Sequence, residues 1–125
     1  MAISSQTHDV QERQTATVTF TLRDQAAAAV PSAQLTTALI TLYDQRTQTV
    51  INSRNAQNVL NLNNVAMHDT SGVVTWTVQI ADQAIQNAQL EVEKHIALFS
   101  FTWSAGAKAW AHEVILSVAN IGLFP

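Results

Sequence analysis

The sequence contains no cysteine among its 125 residues. Disulfides, thiolate catalysis and cysteine-based zinc sites are therefore excluded, and so is a secreted fold held together by disulfides. Charge is also scarce, because charged residues make up 12% of the chain, against roughly 25% in an ordinary domain. The 6 Lys+Arg and 9 Asp+Glu give a net charge of −3. The few basic residues form no stripe that could neutralise phosphates, so we expect no nucleic-acid partner.

Long apolar runs are missing as well. No segment reaches the roughly 18 apolar residues of a membrane helix, so we expect no membrane span. The first residues are polar and lack the basic start and apolar run of a signal peptide. Gln, Asn, Thr and Ser take the place of charge along the chain. The length favours one domain with a single core.

Alternation of polar and apolar residues predicts β-strands along most of the chain. Between Thr15 and Arg23, threonines alternate with Val18, Phe20 and Leu22, which is the pattern of a strand with one buried face. Further strands are predicted at residues 39–44, 73–80, 95–103 and 110–121, and two shorter strands are predicted at residues 49–51 and 59–62.

The connections carry turn and helix signals. Pro31 disfavours a helix in the alanine-rich residues 26–32, which are predicted to form a loop. Residues 69–72 predict a type I turn, and residues 81–91 predict one or two helical turns. About seven short strands with one helical insert are typical of an antiparallel β-sandwich.

The domain boundaries follow from where the alternation begins. Residues 1–14 have no period of two or of 3.6 residues, and we interpret them as an arm that is either loose or docked on a neighbour. Residues 15–125 are predicted to form one β-sandwich domain.

The last two predicted strands form an aromatic hairpin. If residues 104–107 are its loop, Trp103 faces Lys108 and Phe101 faces Trp110. One face of the hairpin then carries five aromatic or imidazole side chains, which are the candidate interface residues of the chain. They are Phe99, Phe101, Trp103, Trp110 and His112.

The other face of this hairpin is also apolar near its middle, with Ile96, Leu98 and Ile115 beside Ser100. One interpretation is a central hairpin, covered on one side by the second sheet and on the other by the arm or the helical insert. A second is that part of the aromatic face is a protein interface, because interface cores are rich in aromatic residues. A third is a sugar-stacking platform built on Trp103 and Trp110.

No catalytic or metal site is predicted. His8, His68, His95 and His112 lack the spacing of a zinc-binding helix, and the hairpin register holds the last two too far apart to share an ion. Glu91 and Glu93 share one face of a strand, which favours a solvated edge. A calcium site built from Asp24, Asp44 and Asp69 would be possible at one end of a sandwich, but turn roles explain each aspartate separately.

Three segments carry a resemblance to a known family. ATVTFTLRDQ, LITLYD and DTSGVVTWTV, at residues 16–25, 39–44 and 69–78, resemble the immunoglobulin-like modules of tailed-bacteriophage structural proteins. The most similar are N-terminal modules of baseplate proteins that carry receptor-binding subunits. The resemblance implies an immunoglobulin-like sandwich, no catalytic residues, no cofactor and a location in the virion, which is assembled in the host cytoplasm.

We therefore expect a non-enzymatic virion structural protein that acts by protein–protein adhesion. A capsid decoration or cement role is favoured, because the chain has no further domain to carry a fibre or a receptor-binding tip. The implied partners are the major capsid protein or tail and baseplate subunits, together with further copies of the chain. A tail or baseplate adaptor is one alternative, and a carbohydrate-binding module that uses exposed aromatic residues is another.

Overall fold

A computed structural model describes residues 4–11, 13–24, 26–68, 70–87, 89–104, 106 and 108–120. Strands and two short 3₁₀ helices follow one another in this part of the chain. The strands are β1 (Ser4–Gln11), β2 (Ala16–Thr21), β3 (Leu35–Asp44), β4 (Gln57–Asn58), β5 (Val65–Met67), β6 (Val73–Val78), β7 (Val92–Trp103) and β8 (Lys108–Ala119). The 3₁₀ helices are Ser32–Gln34 and Ile80–Gln83.

The strands form two sheets. The larger sheet has the order β1-β8-β7-β3-β4, and the smaller one has the order β2-β6-β5. Immunoglobulin domains place strands B, E and D in one sheet and strands C, F and G in the other, and β2-β6-β5 and β3-β7-β8 occupy the equivalent places in the chain. The protein is therefore an immunoglobulin-like β-sandwich, as the sequence predicts.

The core lies between the two sheets and is formed by alternate residues of each long strand. In β2 and β6, Val18, Val74 and Trp76 are buried, while the threonines between them face outward. In β7, every second residue from Glu93 to Trp103 is buried. The alternation that predicted these strands is therefore the alternation of buried and exposed faces, as expected for sheets that are solvated on one side.

β1 differs from the prediction. Residues 4–11, which were interpreted as part of an arm, instead form the edge strand of the larger sheet and pair in parallel with β8. Only Val10 among them is both apolar and buried, so hydrophobic periodicity gave no signal. The strand is held by its ladder with β8 and by polar side chains on its inner face.

The β7–β8 hairpin has the predicted register, because Trp103 pairs with Lys108, Phe101 with Trp110 and Phe99 with His112. Both strands begin earlier than predicted, and β8 starts at Lys108 rather than at Trp110. β7 begins at Val92 rather than at His95. This extension places Glu93 inside the sheet.

The short elements match the prediction less closely. Residues 39–44 and 49–51 form a hairpin through a bridge between Tyr43 and Val50. The strand predicted at residues 59–62 is absent; the two-residue β4 lies just before these residues, and β5 was not predicted. The helical insert is reduced to Ile80–Gln83, where Gln79 is the N-cap and Asp82 completes a capping box. The predicted turn at residues 69–72 includes Asp69, which lies outside the described residues. No helix in the described ranges is long and apolar enough to cross a membrane.

A buried arginine holds the long connection between β3 and β5. Arg54 is 2% exposed, and its Nε lies 2.5 Å from Oδ1 of Asp82, which is fully buried. Nη2 also donates to Oδ2 of Asp82 at 3.1 Å, and the other guanidinium N–H groups donate to Gln57, to the main chain of Asn63 and to Asn64. The guanidinium also lies 5.9 Å from the centre of the Trp76 ring. One cation thus joins the connection, the 3₁₀ helix Ile80–Gln83 and the core.

Replacement of this arginine is expected to be costly. Arg54→Met leaves the Asp82 carboxylate buried without its cation, and we expect a loss of about 3–5 kcal/mol in the free energy of unfolding. Arg23→Met, at an exposed arginine that donates to the main chain of Ala27, is the matched control, with an expected loss of about 0.5 kcal/mol or less. Urea unfolding measures both, and equal losses would contradict a structural role for the ion pair.

Candidate functional site

The five candidate interface residues share the inner face of the β7–β8 hairpin, as their register predicts. Phe99 and Phe101 stack on the same strand, with ring centres 6.2 Å apart, and Phe101 stacks on Trp110 at 5.9 Å. From the smaller sheet, Phe20 and Trp76 pack edge-on against Phe99 at 5.1 Å and 5.5 Å. The second sheet therefore covers the aromatic face.

Burial separates these residues into two groups. Phe99 and Phe101 are fully buried, Trp103 is 5% exposed and His112 is 4% exposed, so they have no surface to offer a partner in this conformation. Trp110 is half-buried, and an interface role stays a prediction for this residue. A sugar platform that uses both tryptophans does not fit the structure, because Trp103 lies in the core.

His112 is held by a directed chain of hydrogen bonds from β1. The Ser4 hydroxyl lies 2.7 Å from Nδ1 of His112 and donates to it, and Nε2 of His112 donates to Oε1 of Gln6 at 2.5 Å. The amide nitrogen of Gln6 in turn donates to Nε2 of His8 at 2.5 Å. In this direction of the chain His112 accepts at Nδ1 and donates at Nε2, which is the arrangement of a neutral imidazole.

The environment of His112 favours the same neutral form. Burial lowers the pKa of His112 below its ordinary value of 6.5, and the nearby His8 lowers it further. The ring also packs against Phe20 at 4.3 Å and stacks on Trp110 at 5.3 Å. Protonation would therefore place a charge in an aromatic environment and would remove the acceptor of the Ser4 hydroxyl.

The opposite face of the larger sheet is uncovered by any other described element. Tyr43, Ile96 and Ile115 lie side by side across β3, β7 and β8 in one row of this outer face. Tyr43 and Ile115 are half-buried, and Ile96 between them is 3% exposed. Leu39 and Leu98 are half-buried in the neighbouring rows. The remaining positions are mostly Ser, Thr and Ala. The charged residues of these strands on this face are Asp9, Lys94 and Glu113.

A second polar cluster lies at the end of the inner face, where the core gives way to the 3₁₀ helix Ile80–Gln83. Glu93 is 2% exposed and His95 is fully buried, and the Nε2 atom of His95 lies 2.6 Å from Oε1 of Glu93. The interpretation of Glu93 as part of a solvated edge is therefore wrong. Asp44 is directly opposite His95 in the β3–β7 ladder and is 2% exposed.

Each member of this cluster is also bound by a group outside it. The Glu93 carboxylate accepts the backbone N–H groups of Gln86 at 2.7 Å and Asn87 at 2.8 Å. Nδ1 of His95 lies 3.1 Å from the main-chain oxygen of Asp82. Oδ2 of Asp44 accepts the hydroxyl of Thr47 at 2.7 Å and its N–H at 3.2 Å; Oδ1 is buried without a hydrogen-bond partner.

One atom from each of Asp44, Glu93 and His95 lies within 4.8 Å of the others, so these residues could hold a metal ion. Sequence reasoning missed this group because β7 was predicted to begin at His95. The phase of the strand did carry a signal, since Glu93 and His95 alternate in step with Phe99 and Phe101. The approach of Asp44 depends on the β3–β7 pairing, which the sequence did not predict.

The calcium alternative gains no support. The Asp24 carboxylate accepts the N–H groups of Ala26 and Ala28, both at 2.9 Å, which is a turn role. Asp69 lies outside the described residues. Asp44 belongs to the cluster with Glu93 and His95.

The lowered pKa of His112 predicts a loss of stability in acid. Between that lowered pKa and 6.5 the unfolded chain binds more protons than the folded chain, so the free energy of unfolding falls as the pH falls through this window. The slope should be at most about 1.4 kcal/mol per pH unit for this one group. His112→Gln should flatten the profile measured by urea unfolding between pH 5 and 7.5, whereas His68→Gln in an exposed turn should not. An unchanged slope in His112→Gln would contradict the assignment.

Comparisons with known proteins add little to this geometry. No family model matches the chain, and no curated protein matches it. Among solved structures, the chain is similar to the titin M3 domain, with a TM-score of 0.40 and 9% sequence identity over 94% of this chain and 92% of that chain. A likeness this distant says nothing about function, and the fold assignment follows from the strand order.

Proposed function

We propose that this chain is a non-enzymatic structural protein of a bacteriophage virion, and that it binds to the capsid as a decoration protein by protein–protein adhesion. The observation that supports this most directly is the outer face of the larger sheet. It is broad and uncovered by any described element, and the half-buried side chains of Tyr43, Leu98 and Ile115 give it an apolar surface around the buried Ile96. The resemblance of three sequence segments to phage modules supports the virion location.

The composition of this face suits contact with another protein. Interface cores are depleted of charge and enriched in large apolar residues. Ser and Thr side chains can form hydrogen bonds across an interface, and their desolvation costs less than that of Lys or Glu. Ser100 and Thr102 of β7 lie on this face beside Leu98.

The edge of the same sheet offers a second mode of contact. Among the described strands, β1 pairs with β8 alone, so its other edge has free N–H and C=O groups that a strand of a neighbour could join. β1 is itself part of the sandwich. Deletion of residues 1–14 would therefore remove a strand and the partners of His112, and it is not a clean test of assembly.

The same surfaces would serve a tail or baseplate adaptor, and homo-oligomers on the particle would use them as well. A carbohydrate-binding module is a weaker proposal, because it requires an exposed Trp103 and the side chain is 5% exposed.

A charge placed on the outer face next to Leu98 tests the proposal. Ser100 is exposed between Leu39 and Ala111, and Ser100→Lys should leave the thermal unfolding midpoint nearly unchanged. In particles made from the genome that encodes the chain, its occupancy should fall at least about tenfold, because the ammonium group would lose water on binding. Quantitative mass spectrometry of purified particles measures the occupancy.

Thr77→Lys is the matched control, because Thr77 is exposed on the outer face of the smaller sheet. It should be incorporated like the wild type. Equal incorporation of both variants would contradict docking through the larger sheet. Absence of the wild-type chain from purified particles would contradict the virion role itself.

A further inference from the structure

We propose that Asp44, Glu93 and His95 form a binding site for one divalent transition-metal ion, for which Zn²⁺ is the probe. The site lies on the inner face of the larger sheet, away from the outer face of the proposed docking surface. The two proposals are therefore independent of each other.

The backbone places the three side chains together. Asp44 and His95 are paired residues of the β3–β7 ladder, and paired residues point to the same face of a sheet. Glu93 precedes His95 by two residues and so points to that face as well. One donor atom of each residue lies within 4.8 Å of the others. Because all three stand on paired strands, the arrangement is rigid.

The contacts outside the cluster are those that orient metal ligands. A ligating imidazole usually donates its second N–H to a carbonyl or carboxylate, and Nδ1 of His95 lies 3.1 Å from the main-chain oxygen of Asp82. This bond leaves Nε2 to face Glu93. The two backbone N–H groups on Glu93 fix its carboxylate, and Thr47 fixes Oδ2 of Asp44.

A buried oxygen atom of Asp44 gives independent support for a bound cation. Its Oδ1 atom is buried and has no hydrogen-bond partner, whereas buried carboxylate oxygens are normally paired or bound to a metal. Two carboxylates and an imidazole that carries no proton on Nε2 have a charge of −2. A divalent cation would neutralise that charge, and it would give Oδ1 a partner.

The imidazole of His95 also fits a cation at Nε2. Nδ1 and Nε2 both face groups that only accept hydrogen bonds, the Asp82 carbonyl and the Glu93 carboxylate, so without an ion a proton must lie between Nε2 and Glu93. A metal bound at Nε2 replaces this proton, which is released to solvent. Two ligands of a tetrahedral ion are about 3.4 Å apart for bonds near 2.1 Å. The contact of 2.6 Å between Nε2 and Oε1 would open by less than about 1 Å.

The donor set selects the class of ion. One imidazole nitrogen and two carboxylate oxygens suit Zn²⁺ and its first-row neighbours better than Ca²⁺ or Mg²⁺, which prefer oxygen ligands alone. A surface cleft of about 390 Å³ is lined by Asp44 and Glu93 and gives solvent a path to the site. Arg46 and Lys94 also line the cleft. Their positive charges are opposite in sign to those of the two carboxylates in its wall. A water molecule from the cleft can complete the coordination.

The test is to titrate the chelator-treated chain with Zn²⁺ and to measure binding by calorimetry and by native mass spectrometry. We expect one ion per chain, a Kd on the order of 1 µM or tighter, and a rise of about 5 °C in the thermal midpoint at saturation. Asp44→Asn keeps an acceptor for Thr47 and removes the charge, and it should weaken binding at least about 100-fold. Asp24→Asn, at a carboxylate with a turn role, should bind like the wild type.

A second measurement needs no variant. With Co²⁺ in place of Zn²⁺, the visible absorption should show a four- or five-coordinate ion. With the diamagnetic Zn²⁺, the ¹⁵N resonance of His95 Nε2 should shift while those of His8 and His112 stay unchanged. The proposal is overturned if no ion binds below about 1 mM Zn²⁺. It is equally overturned if binding persists in Asp44→Asn and disappears in His112→Gln, since the ion then lies at β1.

Discussion

The ion pair between Arg54 and Asp82 is the interaction on which the irregular half of this sandwich depends. The described parts of two long connections, residues 45–64 and 79–91, contain little regular structure, and few of their apolar side chains, among them Ile51 and Val59, reach the core. Arg54 holds the first connection by its hydrogen bonds to Gln57 and Asn64, and the second by its contact with Asp82. Since both charges are buried, either one without the other would be costly.

Asp82 also links this ion pair to the candidate metal site. Its side chain binds Arg54 and the backbone N–H of Gln79, while its main-chain oxygen faces His95. The two polar clusters therefore share one residue at the end of the core. A change in the position of the 3₁₀ helix Ile80–Gln83 would move a ligand contact of His95 together with the carboxylate that neutralises Arg54.

The sequence predicts those strands in which apolar and polar residues alternate. Val18 and Phe20 in β2 and Trp76 in β6 are buried, as their alternation indicates, and the loop length between Trp103 and Lys108 was enough to predict the β7–β8 register. β1 was missed because three of its four inward residues are Ser4, Gln6 and His8, so that Val10 alone gives no hydrophobic period. The group formed by Asp44, Glu93 and His95 was missed because it depends on the pairing of β3 with β7. The residue pattern within each strand does not show which distant strand it pairs with.

The parallel pairing of β1 with β8 has a mechanical consequence. Ser4 lies beside His112 and Gln11 beside Ala119, so the start of β1 and the end of β8 are at opposite ends of the ladder. Tension applied between these two points would pull the strands along each other, and every hydrogen bond between them would carry load at once. A module attached to a particle through one of these ends and pulled at the other would resist force through this shear geometry, without any disulfide.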